Sequence, residues 1–182
     1  MNVNLKKLLY IALWIALPLF ALRHALFPLT DAYSVFGAAG EVVAFTVVLV
    51  GFYERFLWKW NPLEKTPLIK GSYEVVISHN YKGKAGKKKA TATIKQSLFF
   101  VSVSITTNEI TSSTIVAHIG VENGEPVLYY TYITNPQSRV SEGNPIQYGS
   151  CRLTLTDDKG LRGKYWTSEK NNGDIVFKRS KK

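Results

Sequence analysis

The stretch Pro126-Val-Leu-Tyr-Tyr-Thr-Tyr-Ile133, entered through Glu122-Asn-Gly-Glu125, decides the fold. Successive side chains of a strand point to opposite sides, so Leu128, Tyr130 and Tyr132 share one face. Asn-Gly just before the run is a tight-hairpin signal, because the favoured two-residue turn needs positive φ at both central residues. The same texture fills residues 71–182. Candidate strands are Gly71–His79, Ala90–Gln96, Ser97–Thr106, Thr111–Ile119, Pro126–Ile133, Gly149–Thr156, Leu161–Thr167 and Asp174–Arg179. Further turn signals stand at Lys82-Gly-Lys-Ala-Gly, Asp157-Asp-Lys-Gly and Asn171-Asn-Gly-Asp. No stretch in this half has helical periodicity. About eight short strands joined by hairpins predict a closed antiparallel barrel, whose closure removes exposed edges.

A barrel of about eight strands encloses side chains or one small ligand. Both rows of several strands are partly amphipathic. Arg152, Thr154 and Thr156 oppose Cys151, Leu153 and Leu155, and Ser102 and Ser104 alternate with Val101, Val103 and Ile105. The sequence leaves open which row lines the lumen.

Upstream the pattern is different. Leu8–Leu22 is apolar and extends past Arg23 and His24 to Leu29; a second run covers Ala32–Phe56. A bilayer span takes roughly 20 apolar residues. The two runs, with a short connection near Pro28 and Asp31, predict a transmembrane helical hairpin over residues 1–60, with residues 61–70 as a linker. A cleaved signal peptide is disfavoured, because no small-x-small site follows the first run. Lys6 and Lys7 precede the hairpin and Arg55, Lys59, Lys65 and Lys70 follow it, so the positive-inside rule predicts cytoplasmic termini and an inner-membrane protein. Trp58 and Trp60 are expected as interfacial anchors. Glu41 and Arg23 both lie toward the outer end of the hairpin. An ionisable residue in a span is a functional candidate, here for membrane assembly.

Composition narrows the classes. The chain has 182 residues and one cysteine, Cys151, which excludes a disulfide scaffold and a Cys-rich zinc site. Aromatic residues make up 13%, enough to build a core. The net charge is +10. Counting Lys/Arg against Asp/Glu, residues 71–182 carry 16 against 9 and residues 1–70 carry 7 against 4, so the barrel half holds +7 of it. Such a balance suits an anionic partner or a surface beside anionic lipid. Lys84–Lys89 with Lys82 reads as a solvated hairpin tip able to touch lipid headgroups. Interleaving of aromatic and basic residues is weak, so no nucleic-acid polymer is expected. The sequence lacks HExxH, GxSxG, P-loop and GxGxxG motifs, and His118 stands alone on its strand. The chain reads as a non-enzyme with no metal and no cofactor.

Several segments, in order, carry a resemblance. They are Gly71-Ser-Tyr73, Ile94-Lys-Gln96 leading to Phe99-Phe-Val-Ser-Val-Ser104, Ser112-Ser-Thr114, Leu128–Pro136, Gly149 before Leu153, Leu161-Arg-Gly-Lys-Tyr165 and Gly173–Arg179. With two spans and a linker in front, the chain resembles the two-transmembrane, β-strand-rich effectors of bacterial CBASS antiphage defence. The resemblance implies a lipocalin-like barrel that receives a cyclic nucleotide second messenger, with a cyclic dinucleotide expected. It further implies that binding promotes homo-oligomerisation, disrupts the inner membrane and kills the infected cell without enzymatic chemistry. For such a ligand, Arg152 is the expected phosphate partner. Tyr130, Tyr132 and Tyr165 are candidates for stacking on bases. Thr107, Ser113 and Asn135 are candidates for reading base edges or ribose. Competing readings are a membrane-tethered carrier or sensor of lipid and a structural envelope subunit without a ligand.

Overall fold

The structure, a computed structural model, describes residues 3–81, 84–142 and 145–180. By their contacts these residues form two compact units. One holds the chain up to Glu64 together with Ser97–Phe99, and the other holds the rest.

The first unit is helical. Helix α1 runs Val3–Leu26 and α2 runs Ala32–Phe52, continued by a π-helical turn at Tyr53–Leu57 and a 3-10 turn at Trp58–Trp60. Asp31 caps α2: its carboxylate accepts from the Ser34 amide at 2.7 Å, and the Ser34 hydroxyl accepts from the Asp31 amide in return. Lys6–Leu26 and Ala32–Trp60 are each long and apolar enough to cross a membrane. Leu13, Trp14, Leu17, Phe36, Phe45, Val47 and Val48 are all exposed. The Arg23 Nε donates to Glu41 Oε2 at 2.7 Å, so the two residues expected to serve membrane assembly meet within one chain. Trp60 is exposed as expected of an interfacial anchor, but Trp58 is buried, so its indole is not free to lie among headgroups.

The second unit is a closed barrel of eight strands, each antiparallel to its sequence neighbours, with β8 returning to β1. The strands are β1 Gly71–Tyr81, β2 Lys84–Gln96, β3 Val101–Thr106, β4 Ile110–Glu122, β5 Glu125–Pro136, β6 Tyr148–Leu155, β7 Leu161–Thr167 and β8 Asn172–Arg179. The Glu122–Glu125 turn carries positive φ at Asn123 and Gly124, as its Asn-Gly pair demands.

Three sequence expectations shift. Ser97–Phe100 is not strand, because Gln96 pairs with Val101 and the four residues between reverse the chain. Asn172-Gly173 is not the last turn: the chain reverses at Ser168–Lys170, with Lys170 at φ 58°, and Gly173 lies inside β8. The lysine run is strand rather than tip, since Lys87, Lys88 and Lys89 pair with Ser78, Ile77 and Val76. Lys82, the other lysine assigned to that tip, lies outside the described residues.

The core fills one half of the lumen. Tyr73, Ile94, Val103, Leu128, Leu153, Leu161 and Phe177 are each at most 2% exposed, and the Tyr73 and Phe177 rings meet edge to face at 5.9 Å. The entering chain closes that end. Gln96 Oε1 accepts from the Ile69 and Lys70 amides, Gln96 Nε2 donates to the Pro67 carbonyl, and the Tyr73 hydroxyl donates to the Ile69 carbonyl at 2.6 Å. Cys151 and Leu153 face inward, so Arg152 and Thr154 face outward. The hydrophobic row wins the interior, which settles the face the sequence left open.

Candidate functional site

The other half of the lumen is hollow. A cavity of about 430 Å³ opens at the end of the barrel that holds His79, Lys88, Thr107, Gln147 and Asn171. That volume is within the range of about 300–1,000 Å³ usual for small-molecule sites. The same strands that meet in the core turn small or polar here. Thr107 directly follows β3, Ser112 and Thr134 sit near the start of β4 and end of β5, and Thr167 ends β7. Tyr130, Tyr132, Cys151 and Tyr165 form the floor and walls; the Tyr130 and Tyr132 rings lie 5.8 Å apart, tilted by 43°. His79, Lys88, Gln147, Glu169 and Asn171 ring the mouth.

Hydrogen bonding sorts these groups. The Thr107 hydroxyl is engaged by its own turn, accepting from the Ile110 amide at 2.9 Å. Thr134 Oγ1 accepts from the Gln147 amide at 2.8 Å and so fixes the β5–β6 connection. Lys88 is ion-paired with Glu109. By contrast the Tyr130 hydroxyl and Thr167 Oγ1 are buried with no hydrogen-bond partner of normal geometry. A buried polar atom without a partner costs free energy of about 1–3 kcal/mol, which a ligand group can recover.

The floor is kept neutral. Burial pushes the Cys151 thiol up to about 12, an effect the neighbouring Tyr130 hydroxyl only partly opposes. Burial, and secondarily the Cys151 thiol, raises Tyr130 well above the ordinary phenol value, and Tyr132 and Tyr165 are raised for the same two reasons. At physiological pH these groups present neutral donors and ring faces, not charge. Among the described residues no cluster of three or more His, Cys, Asp or Glu is arranged to hold a metal ion.

Of the seven expected ligand residues, the cavity gathers Tyr130, Tyr132, Tyr165 and Thr107. Three lie elsewhere. Arg152 is on the outer face, exposed, and ion-paired with Glu122, because its neighbours Cys151 and Leu153 take the interior. Ser113 is exposed on the outer face while Ser112 lines the cavity. The cause is the register shift between Thr114 and Val116, which inserts one residue and reverses the phase of β4 relative to Ala117 and Ile119. Asn135 is exposed, and its neighbour Thr134 lines the cavity. The sequence reading passed over His79, Lys88, Ser112, Thr134, Gln147, Thr167 and Asn171. Alternation with Tyr130 and Tyr132 identifies Thr134, and alternation with Tyr165 identifies Thr167.

Comparison with known proteins points the same way. Residues 64–179 match the family described as Cap15, cyclic dinucleotide receptor domain. The chain is 39% identical over 148 residues to CD-NTase-associated protein 15 of Staphylococcus schleiferi, covering 78% of this chain and 80% of that protein.

Proposed function

Since the chain belongs to the Cap15 family of CBASS effectors, we propose that the hollow end of its barrel binds a cyclic dinucleotide and that binding drives the helical hairpins to assemble and breach the inner membrane. The observation that carries the binding step is the cavity floor. Tyrosine rings stand beside two unpartnered buried hydroxyls in a space of small-ligand size. Rings supply stacking faces for bases, at about 1–3 kcal/mol per base. Tyr130 and Thr167 supply hydroxyls for base edges or ribose. The phosphates belong at the mouth, near His79 and Lys88, within the field of a unit whose residues carry a strong excess of lysine and arginine. Arg152 has no part in this reading.

The membrane step rests on the two apolar helices and the basic residues flanking them, which favour both termini in the cytoplasm where a nucleotide messenger is made. A ligand shifts an assembly equilibrium only by its differential affinity for the assembled state. Confinement to a plane raises the subunits' effective concentration, so a small bias suffices. Arg23 and Glu41 can exchange their ion pair within one chain for pairs between chains as hairpins gather. In this reading the protein is a receptor that does no chemistry on its ligand, supported by the description of its family as a cyclic dinucleotide receptor domain.

Calorimetric titration of the full-length protein in detergent with cyclic di-GMP, cyclic di-AMP and cyclic GMP–AMP tests the binding step. Saturable binding of at least one, followed by ligand-dependent cross-linking and dye release from proteoliposomes, is expected. Tight binding without cross-linking or release would leave a receptor and remove the membrane-disrupting effector.

A further inference from the structure

We propose that Gly149 and Gly86 are positioning residues of this cavity, each providing an empty seat on a neighbouring strand for one aromatic ring of the wall. The proposal rests on the reading of the hollow end as the ligand site. Gly149 of β6 lies directly opposite Tyr132 of β5 in the register. A Cβ on Gly149 would lie 2.3 Å from Tyr132 Cζ and 2.4 Å from its hydroxyl oxygen. The far end of the ring therefore rests on the glycine, and the ring runs along the wall toward β6 rather than across the lumen. The same relation recurs between β1 and β2. Gly86 is opposite His79, and a Cβ there would lie 2.6 Å from His79 Nε2 and 2.8 Å from Cε1. In the barrel order β1 and β5 lie half a turn apart, so the two seats stand on opposing walls.

Other glycines of the barrel show that this is not a backbone requirement. Neither Gly149 nor Gly86 has positive φ. The atoms that an added methyl would strike belong to the ends of flexible side chains. At Gly163 and Gly173 the methyl would instead fall 1.9 Å from the carbonyl oxygens of Arg152 and Ser78. Those two are demanded by the fold, because the backbone cannot yield. At Gly149 and Gly86 the ring yields, and the free direction is the lumen. An alanine in either seat thus fills the cavity with a residue the wall already owns. Large rings over cross-strand glycines also explain how four aromatic side chains, His79, Tyr130, Tyr132 and Tyr165, coexist with an open space.

The test uses full-length protein in detergent, with the three cyclic dinucleotides above as probes. Gly149→Ala and Gly86→Ala should retain a cooperative thermal transition and bind the probe about tenfold more weakly or worse, equivalent to about 1.4 kcal/mol or more. In a Tyr132→Ala background, Gly149→Ala should make no further difference, whatever Tyr132 itself contributes to binding. A readout without ligand comes from Cys151, the chain's one cysteine, which lines the cavity. Its labelling by methylmercury should slow several-fold in Gly149→Ala and recover in Tyr132→Ala/Gly149→Ala. If no probe binds wild type, the receptor reading falls, while the labelling rates still decide the seat. Unchanged affinity and unchanged labelling in folded Gly149→Ala would overturn the proposal. If Gly149→Ala does not fold, the double variant should; its failure to fold would overturn the proposal as well.

Discussion

At one end of the barrel Tyr73, Ile94, Val103, Leu128, Leu153, Leu161 and Phe177 meet across the axis; at the other the same strands present His79, Lys88, Thr107, Tyr132, Gly149, Thr167 and Gly173. The β5–β6, β6–β7, β7–β8 and β8–β1 ladders run through both halves, so on those strands the backbone does not distinguish them. Side-chain size and polarity do. Leu153 and Gly149 are four residues apart on one inward row, and so are Phe177 and Gly173. Period-two alternation specifies a barrel, while a gradient along each inward row specifies where it is solid and where it is hollow.

The largest effect should come from breaking the solid end. Phe177→Ala removes a ring that is 1% exposed and packed edge to face on Tyr73. A loss of about 3–5 kcal/mol is expected in denaturant unfolding. A loss below about 1 kcal/mol would mean that the two ends are equally dispensable, against the packing read here.

Alkaline pH separates the halves next. The folded Cys151 thiol titrates near 12, against an ordinary value of 9.0. Between those values the unfolded chain has ionised this thiol and the folded barrel has not. Its contribution is therefore fully present below about pH 9, falls as pH rises, and is lost above about 12, at up to about 1.4 kcal/mol per pH unit. Cys151→Ala should flatten the fall measured by thermal unfolding between about pH 9 and 10, before the tyrosines join it. A slope that is unchanged in the variant would place the thiol in water.

Two phenol deletions sharpen the contrast. Tyr73→Phe removes a hydroxyl that donates to the Ile69 carbonyl, and should cost about 1 kcal/mol of stability. Tyr130→Phe removes a buried hydroxyl that has no hydrogen-bond partner of normal geometry and only the Cys151 thiol beside it. It should leave stability equal or raised, yet weaken cyclic dinucleotide binding by about 1 kcal/mol. Equal destabilisation by both would show that Tyr130 is core, not site.

The smallest effect is expected outside the barrel. Arg152→Ala should leave cyclic dinucleotide affinity unchanged in calorimetry, since the guanidinium faces solvent beside Glu122. Any loss of affinity would require a ligand that wraps over the mouth onto the outer wall.

Most of this architecture is legible in residue order alone. The two apolar runs, the hairpin at Asn123-Gly124 and the alternation of Leu128, Tyr130 and Tyr132 give helices, turn and strand without a structure. Which residues line the cavity was legible where alternation ran uninterrupted: Tyr130 and Tyr132 on β5, and Tyr165 on β7. It was not legible where a local feature breaks the period. The inserted residue near Ile115 reverses β4, so Ser112 rather than Ser113 faces the lumen. Arg152 lies outside the cavity for another reason. The row Cys151, Leu153, Leu155 is the more apolar one, and a charge sought for phosphate was set above the burial of leucine. The glycine seats had no signal in sequence, because a glycine opposite a tyrosine is visible only once the register is known.

Intermolecular NOEs between a bound cyclic dinucleotide and the full-length protein test the hollow end as the receptor site most directly. The expected result is contacts from base and ribose protons to the rings of Tyr130, Tyr132 and Tyr165, with none to side chains on the outer face of β6. Contacts confined to the outer wall, or a bound ligand with none to those three rings, would contradict it.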